Sequence, residues 1–430
     1  MVESWMQASG LALPAVIRGL GHRYVLVTRD PALYTAGADG RPHPVVRDAD
    51  EIVVADTNDL DAVRRVAAEV TRRSRIDGVL TTCDYYLETV ATVARDLGLP
   101  GASPEVMRRA TRKDEVRRTL DLAGLPNPGF AVVTSWQSAR AAAVGLGYPL
   151  VAKPVDLNAG TGVRRVDDEA GLKDAYWAIT GAGHNTRGQP LSISVLLEEL
   201  LVGPEVSVEA VTHDGITQVL AVTEKTVTGG PVFVEIGHHV PARLDPGVER
   251  EVRRSVELAL AAIGLRHGLS HTEVKLTADG PRIVEINPRQ GGGYIFDLVD
   301  LVTGVNPLGV LVELALGRRP VAPVPASARE RAGSAAVAFV VTPESGVLTR
   351  IGGLDGLAER EGVLHWTADP PHDVSVAADN NARFGHVIAV DREGPEACAR
   401  AEEAVASLRL EMADGRSLAP LVGRSVRDRR

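Results

Sequence analysis

Between residues 22 and 100, short apolar runs alternate with stretches of helical periodicity. That alternation restricts this part of the chain to a parallel sheet covered on both faces. Tyr24-Val25-Leu26-Val27, Ile52-Val53-Val54 and Gly78-Val79-Leu80 read as strands, and Leu60–Arg73 and Tyr86–Leu97 as helices. Ligands of such sheets bind beyond the carboxyl ends of the strands. Asp84, just past Gly78–Leu80, stands at such an end and is a candidate substrate contact. Only Val2-Glu3-Ser4 and a few further residues precede Gly10, so the first strand reads as a stub and the true start is expected upstream.

The rest of the chain changes character. Residues 104–145 predict two short helices, a strand at Phe130–Val133 and a third helix, with Pro126 and Pro128 marking the break. Residues 146–225 are rich in strands, 246–263 form an amphipathic helix, and 270–288 form a hairpin turning at Asp279-Gly280. Helices run on to about Leu316, and the Pro- and Arg-rich stretch Arg318–Arg331 reads as a linker. Residues 333–411 form an α+β unit with strands near Ala335–Val341 and His386–Val390 and a helix from Gly394 to Ser407.

Charge narrows the partners. Lys and Arg number 47 against 56 Asp and Glu, a net charge of −9, whereas nucleic-acid binding needs clustered cations. Cys83 and Cys398 are too few and too far apart for a disulfide framework or a zinc site. No basic segment followed by an apolar run opens the chain, and no uncharged apolar stretch approaches the roughly 20 residues of a membrane helix. The expectation is a soluble, cytoplasmic protein with neither nucleic acid nor membrane as partner, and a homodimer by base rate.

Three pieces carry chemistry. Neither a P-loop nor a dinucleotide G-x-G-x-x-G following a strand is present. Tyr148-Pro-Leu-Val-Ala-Lys-Pro154 instead puts Lys153 near the end of an apolar strand, and Asn158-Ala-Gly-Thr-Gly-Val163 follows. A turn with Gly160, Thr161 and Gly162 brings backbone N–H groups to phosphate oxygens, with lysine as a point charge; a plain hairpin with a solvated lysine is the alternative. The second piece, Leu197-Glu-Glu-Leu-Leu-Val-Gly-Pro-Glu-Val-Ser-Val208, frames a slot for an adenine. There the backbone of Glu199, Leu200 and Leu201 reads the base edge and Glu205 accepts from ribose; taken singly, Glu198 and Glu199 are ordinary exposed carboxylates. The third, His271-Thr-Glu-Val-Lys-Leu276 before Arg282-Ile-Val-Glu-Ile-Asn-Pro-Arg289, sets Glu285 and Asn287 on one strand face, a donor pair suited to Mg²⁺. Glu273 joins them only with a three-residue loop or a bulge; an odd loop is predicted, helped by Pro281.

In this order the pieces resemble the ATP-grasp superfamily across about residues 106–320, within it the L-amino-acid ligases (dipeptide synthetases, bacilysin-type carboxylate–amine ligases). Phe233-Val-Glu-Ile-Gly-His-His-Val-Pro241 is similar to their E-x-G-H-x-x-P stretch, and Arg383-Phe-Gly-His-Val-Ile-Ala-Val390 to their C-terminal domain. The resemblance implies α/β and α+β architecture: an N-terminal parallel-sheet (pre-ATP-grasp) domain over 1–105, an ATP-grasp domain over 106–325 with a lid at about 131–200, and a small C-terminal domain over 332–430. It makes Lys113 and Lys153 nucleotide contacts, Glu198–Leu201 the adenine hinge, Glu273, Glu285 and Asn287 ligands of Mg²⁺ (or Mn²⁺), and Arg289 the arginine at the reacting carbonyl, with Gly292 close by. Glu235 would pair with an amino-acid ammonium, and His238 would take a proton or hold a carboxylate. The implied activity joins two small-molecule amino acids, as a dipeptide or γ-glutamyl-type amide, using ATP. The alternatives are a purine-pathway ligase, a biotin-carboxylase-like carboxylase and a nucleotide-binding scaffold.

Overall fold

The computed structural model describes residues 1–35, 40–228, 232–320, 331–368 and 373–423. Near the N-terminus, Val25–Thr28 and Glu51–Val54 pair in parallel, Val25 opposite Glu51, flanked by helices Ser9–Gly19, Leu60–Arg73 and Leu87–Asp96. Gly78–Leu80, expected as a strand, is not one. The Leu80 carbonyl accepts from Val2 N–H at 3.0 Å, while Met1 and Glu3 bond to Val27. A single bond along that edge is too little for a ladder.

A four-stranded antiparallel sheet follows, in the order Phe130–Val133, Val195–Glu199, Leu150–Pro154, Arg164–Val166. Helices Trp136–Leu146 and Glu169–Gly181 cover it. Their buried Ala139, Ala143, Leu172 and Tyr176 pack on Val133, Leu150, Val195 and Leu197.

The main sheet has eight antiparallel strands, in the order Gly280–Asn287, Gly268–Thr277, Glu205–His213, Ile216–Val227, Glu235–Val240, Ser334–Phe339, Gly385–Asp391, Val363–Ala368. The last three belong to the C-terminal part, and Val337 pairs directly with His238. Helix Pro246–Ile263 packs beneath through Val252, Val256, Ala259, Leu260 and Ile263, one apolar stripe. Pro246 opens that helix, and Gly264, at φ 85°, closes it in the left-handed region. A small sheet of Leu348–Gly352, Arg409–Met412 and Ser417–Leu418 accompanies helix Ala397–Ala406.

The hairpin at 268–287 corrects one expectation. Its loop is Ala278 and Asp279 alone, with Thr277 opposite Gly280, so the loop is not the odd element. The register shifts further along instead: Val274 faces Ile283, but Glu273 faces Glu285, which leaves Val284 as a bulge. Without that extra residue Glu285 would stand opposite Thr272, on the other face. The Pro- and Arg-rich linker over 318–331 falls largely on 321–330, outside the described residues. Among the described residues no single helix is long and apolar enough to cross a membrane.

Candidate active site

The bulge is held in place by a side chain that sequence reasoning missed. Arg117, on helix Lys113–Leu122, donates to the carbonyls of Ile283 and Val284, each at 2.8 Å. Its Nε also donates to Glu198 Oε1 at 2.5 Å, and Lys153 Nζ lies 2.6 Å from Glu198 Oε2. Through Arg117, one buried carboxylate on an inner strand of the four-stranded sheet is therefore tied to the strand carrying Glu285. Burial alone would raise the Glu198 pKa; the charges of Arg117 and Lys153 outweigh it and bring it down to about 2. Burial also draws the Lys153 ammonium below its ordinary value, against the pull of Glu198.

The oxygen-bearing strands converge beside this clamp. Lys113 Nζ lies 2.9 Å from Glu285 Oε1 and donates to the Leu157 carbonyl. Asn287 stands two residues past Glu285 and is buried opposite His271. His271 Nδ1 is 2.8 Å from Glu209, and its Nε2 is 3.4 Å from Glu273. Burial disfavours charge on that ring, but Glu209 and Glu273 outweigh it and lift the pKa to about 9.

Lys225 is the second residue sequence reasoning missed. Its Nζ lies 2.6 Å from Glu273, 2.7 Å from Glu235 and 3.0 Å from Glu205, three carboxylates on three strands. Desolvation opposes its charge, and the three carboxylates outweigh that and hold its pKa well above the ordinary value. Those carboxylates approach closely enough to hold a metal ion, but the ammonium of Lys225 is the cation they already share. The signal was a lone lysine in the apolar strand Ile216–Val227, on the face of buried Thr223.

The remaining candidates border this core. Glu205 also meets Lys275 at 3.1 Å. Glu199 is exposed, its carboxylate accepting from Gly129 N–H at 3.2 Å, and Leu200 and Leu201 lie just past the strand. Arg289 pairs with Asp84, whose other oxygen accepts from Trp5 Nε1 at 3.0 Å. Glu235 meets Arg383 at 3.1 Å and His238 at 3.3 Å. Gly160 and Gly162, at φ 72° and 74°, give the 158–162 turn a shape a side chain would strain. Thr161 Oγ1 donates to Asp379 at 3.2 Å, and Tyr85 donates to Asn158 at 3.1 Å, so both flanking parts of the chain hold this turn. Gly292 is exposed, and its carbonyl accepts from Ile295 N–H at 3.0 Å. A cavity of about 620 Å³, lined by His22, Arg75, Asp77 and Arg318 among others, shares no residue with this cluster.

Two buried histidines make stability pH-dependent. Burial pushes His238 and His386 down to about 3 from 6.5, with His365 adding to the effect at His386. The unfolded chain takes up protons below pH 6.5 that the native rings refuse. Their contribution to stability is therefore complete above 6.5 and falls as pH drops toward 3. Each ring is expected to cost about 2 kcal/mol by a pH of about 5. The thermal midpoint should drop over that interval, and less steeply in His386→Gln; a midpoint flat with pH would refute the assignment.

Residues 146–297 match the ATP-grasp domain, residues 18–101 the ATP-grasp N-terminal domain, and residues 338–413 the L-amino acid ligase C-terminal domain 2. The uncharacterized protein y4rH of Sinorhizobium fredii is 28% identical over 386 residues, which cover 89% of this chain and 77% of that protein. Carnosine synthase 1 of Gallus gallus is 32% identical over 339 residues, covering 74% of this chain; the chain thus spans 35% of that relative's length. The crystal structure of an L-amino acid ligase from Bacillus licheniformis superposes with a TM-score of 0.76 at 23% identity, covering 95% of this chain and 97% of that one, which establishes the fold. The chain thus carries an ATP-grasp domain, the N-terminal domain that goes with it and the C-terminal domain 2 of the L-amino acid ligases.

Proposed function

We propose that the protein joins the carboxylate of one amino acid to the amine of another through an acyl phosphate, with ATP converted to ADP and phosphate. The observation that carries this reading is Glu273 standing opposite Glu285, with Lys113 2.9 Å from the latter. An all-oxygen donor set of Glu273, Glu285 and Asn287 fits Mg²⁺, and the ammonium groups beside it fit phosphate. The domain division in this reading is 1–105, 106–325 and 332–430.

Bound ATP with its metal supplies the phosphoryl group that turns a poor leaving oxygen into a good one. In this reading Lys113, Lys153 and the Gly160–Gly162 turn hold the phosphates, and the backbone of Glu199–Leu201 with Glu205 holds the nucleoside. Lys225 touches the proposed ribose acceptor, a metal ligand and Glu235. In this reading it acts where the phosphoryl group passes from nucleotide to acid. Glu235 receives the ammonium of the acid, with His238 beside it. Arg289, oriented by Asp84, faces the carbonyl and stabilises the oxyanion formed when the amine attacks. The 158–162 turn, fastened to Asp379 and Tyr85, keeps water from the activated acid.

The test incubates the purified chain with ATP, Mg²⁺ and pairwise combinations of amino acids. ADP, phosphate and an amide product are expected together, and only with both partners present. Arg289→Ala is expected to lose roughly 10²–10³-fold in kcat, the usual cost of one oxyanion donor. No ADP from any pair would reject the reading, and full activity in Arg289→Ala would reject the role of that residue.

A further inference from the structure

Arg383 lies between the turn Asn380–Ala382 and the strand Gly385–Asp391, in the C-terminal part of the chain, yet its guanidinium reaches the candidate active site. Nη2 donates to Glu235 Oε2 at 3.1 Å, and the guanidinium carbon sits 4.1 Å from the Phe339 ring centroid. Nε is buried with no hydrogen-bond partner. Glu235 takes up only Nη2 of this arginine, its other oxygen lying 2.7 Å from Lys225. Beside it His238 is fully buried, and neither ring nitrogen makes a hydrogen bond, although Nε2 comes within 3.3 Å of Glu235. Gly293, at φ 54°, packs closely against both: a Cβ there would lie 2.8 Å from His238 Nε2 and 3.2 Å from Arg383 Nη1, so a side chain would press on them.

A buried guanidinium with unspent donors is costly, and its planar fork matches a carboxylate. Resting on the ligase reading above, we infer that Arg383 is the receptor for the carboxylate of the attacking amino acid, the one acid group that survives the reaction. The phosphorylated carboxylate loses its charge when the amide forms, so a fixed arginine suits the other one. The amine of the attacking molecule is then placed by its own acid group, and simple amines without one are poor substrates. Phe339 holds the guanidinium plane against rotation through its ring face.

The inference predicts a choice between two forms of the same acceptor. Amide synthesis is measured with a panel of L-amino acids offered as free acids and as their α-carboxamides, which keep the nucleophilic amine. The wild-type protein should show a KM about 100-fold lower for the free acid, with little change in kcat. R383Q should lose that preference, and R383K should keep part of it. Equal use of both forms by the wild type, or an undiminished preference in R383Q, overturns the inference. The wild-type comparison needs no variant, so it stands even if R383Q misfolds. Thermal midpoints with the same two panels separate this inference from its parent. Free acids that stabilise the wild type where their carboxamides do not, without any ADP release, would sink the ligase reading and leave the receptor standing. A panel in which neither form raises the midpoint and neither is turned over overturns both.

Discussion

Glu285→Ala is expected to cut ATP-dependent amide formation by roughly 10³-fold while leaving the fold in place. Metal assistance of phosphoryl transfer is worth several kcal/mol, and about 4 kcal/mol is a factor of 10³ in rate. The substitution removes one of the proposed oxygen ligands and the partner of Lys113, which lies 2.9 Å away. Stability should hold because the Glu285 side chain is 20% exposed and Lys113 keeps the Leu157 carbonyl. Raising Mg²⁺ should recover part of the lost rate, since the other two ligands remain. The readouts are ADP release across a Mg²⁺ titration and the thermal midpoint of the same preparation. A variant with wild-type turnover at low Mg²⁺ would remove Glu285 from the metal site.

Glu198→Leu should do the reverse and damage the scaffold first. Arg117 and Lys153 would be left as buried cations without a counter-charge; both side chains are at most 5% exposed. Stranding one partner of a buried pair costs about 3–5 kcal/mol. Glu199→Leu, one residue on at an exposed site, should change stability by about 0.5 kcal/mol or less. Hydrogen exchange reads this loss element by element. Amides of Leu150–Pro154, Val195–Glu199 and Gly280–Asn287 should exchange faster in Glu198→Leu and not in Glu199→Leu. Equal protection in the two variants would show that the clamp contributes no local stability. Acid should mimic the substitution only near the low pKa of Glu198: its contribution is complete above 4.5 and fades as pH falls through about 2.

Much of the fold was legible because its signals are local. Leu60–Arg73 and Pro246–Ile263 carry apolar stripes at helical spacing, and their ends are marked by Asp59, Pro246 and Gly264. Phe130–Val133 is an apolar run bounded by Pro128 on one side and the capping Ser135 on the other. The pairing of Ala335 with Val240, which carries the main sheet into the C-terminal part, joins residues far apart in sequence and leaves no local trace. The bulge at Val284 is equally silent, since a hairpin with a longer loop would bring the same glutamates together. In the candidate site, Glu273, Glu285 and Asn287 stood out as polar groups at alternate positions of apolar strands. Lys225, Arg117 and Arg383 did not, because their meaning lies in partners on other strands and helices.

Nearly every charge around the candidate site already has an opposite number: Lys113 with Glu285, Lys153 with Glu198, Lys225 with Glu273, Arg289 with Asp84. Ligand capture is then an exchange of dancing partners rather than the filling of a charged hole. A bare nucleotide would strip lysines from glutamates and leave those glutamates facing each other; a bare divalent ion would do the same to the lysines. Only the two together let every group change hands at once, so each should tighten the grip on the other by a measurable factor.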